Sequence, residues 1–146
     1  PADSGQVKVS WTAPAANGSP ITSYTVTATP GGATCTTAST SCTVVGLDNG
    51  TAYTFTVVAT NAAGTGAASD ASASVTPRTT PGAPTGLVGL VGDGEVLLGW
   101  TAPADDGGDT VVDYVVEYST GDGTGWVTIV DGVSAATTLG WSLIHI

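Results

Sequence analysis

Along several stretches of this chain apolar and polar residues alternate, the spacing of a β-strand that buries one face. Val7, Val9 and Trp11 alternate with Lys8 and Ser10, and Val96, Leu98 and Trp100 form a second such run. A strand is predicted over Ile21 to Thr29, with Tyr24, Val26 and Ala28 on one face. In the densest stretch, Tyr53, Phe55, Val57 and Ala59 point one way while Thr54, Thr56 and Thr60 point the other. Ala71 to Val75 is predicted as a further strand. Between these runs lie turn signals, such as Asn17-Gly18 inside the loop from Pro14 to Pro20 and the breaker Pro30-Gly31-Gly32.

The pattern occurs twice. Trp11-Thr12-Ala13-Pro14 returns as Trp100-Thr101-Ala102-Pro103, and each copy leads through a glycine-containing loop to Tyr24-Thr25-Val26 or Tyr114-Val115-Val116. A period of about 90 residues is too long for a solenoid unit and suits tandem β-sandwiches. Composition agrees: β-branched Thr and Val abound, helix-filling residues are scarce, and 21 Gly and 8 Pro supply turns. No apolar run reaches the roughly 18 residues a spanning helix needs, so membrane insertion is not expected. An all-β chain of two small domains follows.

Charge divides the chain. Residues 1–80 carry Asp3, Asp48 and Asp70 against Lys8 and Arg78, whereas residues 81–146 carry nine acids and no Lys or Arg. A surface of that sign repels phosphate backbones, which argues against nucleic acid as a partner. The two cysteines, Cys35 and Cys42, lie on the expected arms of a hairpin, where facing positions meet the distance a disulfide requires. A disulfide is the preferred reading, with two free thiols as the alternative. Zinc would need about four ligands, and the single His145 is far along the chain. A disulfide would imply an oxidising, extracellular compartment.

These residues resemble the fibronectin type III family, of the kind seen in tandem in secreted actinobacterial proteins. The family's tryptophan on the second strand corresponds to Trp11 and Trp100, and its tyrosine on the third to Tyr24 and Tyr114. Its leucine-then-tyrosine corner and the strand that follows correspond to Leu47, Tyr53, Phe55, Val57, Ala59, Asn61 and Gly64. Pro84 and Leu87 match the opening strand of the second copy. The resemblance implies an immunoglobulin-like sandwich in each copy. It assigns structural roles to Trp11, Tyr24, Leu47, Tyr53, Phe55, Trp100 and Tyr114, and a corner in which the tyrosine hydroxyl bonds backbone just upstream.

The resulting division is a domain over 1–77, a linker over 78–82 stiffened by flanking prolines, and a partial domain over 83–146. The first copy is expected to lack most of its first strand, and the second to lack its last strands. The corner of the second copy is expected directly after Leu139, where the chain instead reads Gly140-Trp141-Ser142-Leu143-Ile144-His145-Ile146. Residues 141–146 match nothing in the repeat and resemble translated adaptor sequence.

Candidate chemistry is sparse. Asp105, Asp106 and Asp109, with Asp113, are the best metal constellation, since calcium takes about six to eight oxygens. The closing glutamate of a calcium loop is absent, so a solvated acidic loop is the preferred reading. Trp126 beside Tyr118 on a predicted hairpin is a candidate for stacking on a sugar or a protein, against the commoner role of shielding a sandwich edge. Asn17-Gly18-Ser19 and Asn49-Gly50-Thr51 fit the glycosylation sequon but read first as turns. No Arg-Gly-Asp occurs. General acid–base chemistry usually recruits His, and His145 lies in the doubtful tail, so neither an enzyme nor a cofactor is expected. The expected function is a non-catalytic extracellular spacer within a larger multidomain protein, such as a polysaccharide-degrading enzyme, whose partners are its neighbouring domains. An adhesion module binding protein or glycan is the rival.

Overall fold

The computed structural model describes residues 2–119 and 123–142, and the chain divides into two units, residues 1–80 and 81–146. Among the described residues every regular element is a strand.

The first unit is a sandwich. One sheet joins β1 (Ala2–Asp3), β2 (Gln6–Ser10) and β5 (Ser41–Val45) in the order β1-β2-β5. The other joins β3 (Ile21–Thr29), β4 (Thr34–Thr37), β6 (Thr54–Asn61) and β7 (Gly64–Thr65) in the order β4-β3-β6-β7. Alternation in β2, β3, β5 and β6 aims Val7, Val26, Ala28, Val44 and Phe55 into the space between the sheets, with Leu47 and Tyr53 closing one side. Each large apolar side chain buried there contributes about 1.5–3 kcal/mol. The opening strand is a two-residue stub that pairs only with Val7 and Gln6. Its turn depends on Gly5, whose φ is +62° and whose amide donates to Asn49 Oδ1 at 2.9 Å. A Cβ there would stand 3.2 Å from the Leu47 carbonyl oxygen.

Two expectations are corrected. Cys35 and Cys42 do form a disulfide, but not across a single hairpin. Cys35 sits on β4 and Cys42 on β5, in different sheets, so the bond ties the two layers together with a Cα–Cα distance of 6.4 Å. The chain between Thr37 and Ser41 steps from one sheet to the other instead of folding β5 back onto β4. The segment over 71–75 is likewise no regular strand. Only Val75 makes a bridge, to Tyr53, and the chain from Gly66 onward pairs with β6 by a different rule. The amides of Gly66, Ser69, Ser72 and Val75 donate to the carbonyls of Ala59, Val57, Phe55 and Tyr53. Every third residue of the segment therefore meets every second residue of β6. The β6 amides of Phe55 and Val57, which such a chain cannot reach with its own carbonyls, donate to Ser72 Oγ at 3.0 Å and Ser69 Oγ at 3.1 Å. Two serine hydroxyls replace missing backbone acceptors at the sheet edge.

In the second unit, β8 (Thr85–Val91), β9 (Glu95–Thr101) and β12 (Thr138–Ser142) form a sheet in the order β12-β9-β8, and β10 (Val116–Tyr118) pairs with β11 (Val127–Ile129). Its registers copy the first unit. Leu98 faces Leu139 and Val96 faces Trp141, as Val9 faces Cys42 and Val7 faces Val44. The strand thus runs on through Ser142, and the corner does not follow Leu139 as expected. Residues 143–146, His145 included, lie outside the described residues.

Candidate functional site

A cavity lies at one end of the first sandwich. Trp11 follows β2 directly, its amide donating to the Thr40 carbonyl at 3.1 Å. Its ring meets Tyr24 on β3 edge-to-face, with centroids 5.3 Å apart and planes at 61°. Such pairs add about 0.5–1.5 kcal/mol beyond the area they bury. The loop from Thr12 to Pro20 arches over this pair. It turns at Asn17 (φ 49°) and Gly18 (φ 88°), closed by the Ser19 amide on the Ala16 carbonyl at 3.2 Å. The chain leaving β6 forms the facing wall. Asn61, the last residue of β6, binds the walls together: Nδ2 donates to the carbonyls of Ser19 at 3.2 Å and Ala16 at 3.4 Å, and Oδ1 accepts from the Ala63 amide at 2.9 Å.

Between the walls is an open hollow of about 530 Å³ with a floor of Trp11, Tyr24, Val57 and Ala59. Its lining contains no carboxylate, imidazole or amine, so it holds no group suited to general acid–base catalysis near neutrality. Asn61 is committed to backbone. The Trp11 Nε1 atom is buried without a hydrogen-bond partner, but so is Trp100 Nε1 in the second unit. The orphaned indole is therefore a property of the repeated aromatic pair, which recurs with Trp100 and Tyr114 at 5.4 Å and 70°. The hollow is a mainly apolar recess with a few hydroxyl and amide groups on its walls.

The remaining residues singled out in the sequence fall as follows. Leu47, Tyr53 and Phe55 are buried, and the Tyr53 hydroxyl accepts from the Asp48 amide at 3.0 Å, five residues upstream. Asn49 is occupied by its bonds to Gly5 and Ser4, a turn role rather than a free sequon. The acidic residues are not brought together. Asp105, Asp106 and Asp109 each accept from an amide one or two residues on, while Asp113 accepts from Tyr114 and from Ser134, which fixes a distant loop. Among the described residues no three His, Cys, Asp or Glu converge as metal ligands. Trp126 is 60% exposed just before β11, on the predicted hairpin. The sequence reading missed the hollow and the serine device. The latter had a signal, since Gly66, Ser69, Ser72 and Val75 recur at intervals of three.

Two sheets of three and four strands, with the tryptophan at the end of β2 and a tyrosine corner before β6, define a small β-sandwich module of the immunoglobulin-like class. The fibronectin type III domain family matches residues 1–75, just over half of the chain, and the chain belongs to that family. A crystal structure of chicken CNTN1 FN1–FN3 domains is similar in fold, with a TM-score of 0.52 and 19% identity, covering 97% of this chain. The chain spans about half of that structure, 52% of its length. The twitchin kinase region from C. elegans shares 30% identity over 53% of this chain and 15% of its own, with a TM-score of 0.47. Domains of this family are structural and interaction modules within multidomain proteins. No helix among the described residues is long and apolar enough to cross a membrane.

Proposed function

We propose that this chain is a pair of fibronectin type III modules serving as a non-catalytic spacer in a larger secreted or surface protein, a polysaccharide-degrading enzyme being the parent we favour. The observation that carries the reading is the second aromatic pair. Trp100 and Tyr114 repeat the geometry of Trp11 and Tyr24, and β9 with β12 repeats the register of β2 with β5. Two copies of one small sandwich in series, with an inter-sheet disulfide in the first, suit a task of separation outside the cell.

The test is retention of the purified chain on insoluble chitin, cellulose and bacterial cell wall. A spacer stays in the supernatant at every protein concentration. Saturable retention that Asn61→Ala weakens, through loosening of the recess walls, would replace the spacer by the adhesion reading.

A further inference from the structure

The chain has three asparagines, and two of them, Asn17 and Asn49, precede glycine. That order has a chemistry of its own. A backbone nitrogen can attack the carboxamide carbon of the asparagine before it, and glycine, lacking a Cβ, leaves that nitrogen uncovered. The attack forms a C–N bond and closes a five-membered succinimide. The attacking nitrogen gives its proton to solvent, and the side-chain nitrogen takes one up and leaves as ammonia. Water then opens the ring. Opening at the side-chain carbonyl leaves an aspartate, and opening at the main-chain carbonyl leaves an isoaspartate, whose backbone is one methylene longer. Either way one water is consumed and one ammonia released, with no oxidant, metal or enzyme.

The fold treats the two sites differently. At half-buried Asn49 the reacting groups are held on three sides. Oδ1 accepts from the Gly5 amide at 2.9 Å, and Nδ2 donates to Ser4 Oγ at 3.4 Å. The attacking atom itself, the Gly50 nitrogen, donates to the carbonyl of buried Pro77 at 3.0 Å. At Asn17 none of these restraints exists. Asn17 and Gly18 are exposed, and neither the carboxamide nor the Gly18 amide has a hydrogen-bond partner among the described residues. Closure requires Asn17 to rotate out of its native turn, where φ is +49°, and local opening is easiest where least is bonded. The third asparagine, Asn61, precedes Ala62, and its side chain is bound to the backbone of Ala16, Ser19 and Ala63.

We propose that Asn17 is a site of spontaneous deamidation, which with time places a carboxylate on the recess of the first unit, while the fold keeps Asn49 intact. The proposal is independent of the spacer reading. Asn17 lines the hollow, whose lining carries no charged side chain, so the new carboxylate is its first charge. The isoaspartyl product does more, because its extra methylene falls between Ala16 and Ser19. The Ser19 amide closes the turn on the Ala16 carbonyl at 3.2 Å, and the carbonyls of these two residues are the acceptors for Asn61 Nδ2. Lengthening the backbone there loosens the turn and parts the walls that Asn61 joins.

The experiment ages the folded full chain in mildly alkaline buffer and digests it with chymotrypsin, whose cuts after Trp11, Tyr24 and Tyr53 separate Asn17 from Asn49. Mass spectrometry reads the exchange of NH2 for OH, and an isoaspartyl methyltransferase reads the isomer. Conversion should be at least about tenfold faster at Asn17, since several hydrogen bonds must break before Asn49 can react. In urea the two rates should converge. Equal conversion in the folded chain overturns the proposal, as does a ratio that persists in urea, which would trace it to the flanking residues. In the aged chain the Ser19 amide should exchange with solvent about fivefold faster. An Asn17→Gln chain aged beside it, whose ring would need six members, should show no change. Unaltered exchange at Ser19 in the isoaspartyl chain overturns the effect on the recess.

Discussion

Single side chains here act mostly by supplying what the backbone lacks. The Tyr53 hydroxyl is the acceptor for the Asp48 amide, and burial of the ring leaves that amide little access to water. Tyr53→Phe keeps the packing and removes only the oxygen. The expected loss is about 1–1.5 kcal/mol in urea unfolding, the net worth of one hydrogen bond whose donor stays buried. A loss indistinguishable from zero would mean that solvent already serves the corner. Ser69 and Ser72 act alike on the amides of Val57 and Phe55. Replacing both with alanine should cost about 1 kcal/mol each and raise amide exchange at Phe55 and Val57 about fivefold. Unchanged exchange at those two amides would assign the serine hydroxyls no share in the edge.

At the scale of strands, the two units allow a substitution to be designed from the chain itself. Val26 faces Cys35 in the first unit and Val116 faces Ile129 in the second, while Val9 faces Cys42 and Leu98 faces Leu139. The disulfide positions thus correspond to Ile129 and Leu139, with Ile129 buried. Closing a loop of seven-residue separation stabilises by about 2–3 kcal/mol through the unfolded state. Reduction, or Cys35→Ala/Cys42→Ala, should remove that amount, and Cys35→Ile/Cys42→Leu should recover part of it by apolar burial between the sheets. A double Ile/Leu variant no more stable than the double alanine variant would show that the layers there are too close for larger side chains. Much of this architecture was legible in sequence because a period of two needs only identity and spacing. The strands around Trp11, Tyr24 and Phe55 follow from that signal, whereas the tyrosine corner follows from the resemblance to fibronectin type III domains that Leu47 and Tyr53 carry. The sheet to which a strand belongs leaves no such mark, so the cysteines were placed on one hairpin when they bridge two layers. The strand expected over 71–75 is not regular for a related reason: the segment from Gly66 to Val75 meets its neighbour with a spacing of three, which has no counterpart in regular strands. The recess, too, depends on how loops arch in three dimensions, which Pro14 to Pro20 and Asn61 to Ser69 do not encode by local pattern.

For the molecule as a whole, burial is unequally shared. Among the described residues nine of the ten buried apolar side chains belong to the first unit, and only Ile129 to the second. Eleven of the twelve large apolar residues left exposed, from Leu87 to Val133, lie in the second unit. Stability follows buried apolar area at about 25 cal/mol per Å², so the two units cannot be equally stable. Charge adds to the difference, since the second unit carries nine acidic residues without Lys or Arg and repels itself at low ionic strength. Unfolding is therefore expected in two transitions, the first belonging to the second unit. Near-neutral calorimetry should resolve a lower step that rises with added salt and an upper step that falls on reduction of the disulfide. Leu98→Ala should move only the lower step, and Phe55→Ala only the upper, the latter by about 3–5 kcal/mol. The dye ANS should bind below the upper step, where the apolar residues of the second unit are accessible. One cooperative transition shifted by both substitutions would show instead that the two units stabilise each other, and that neither can be treated as a module in its own right.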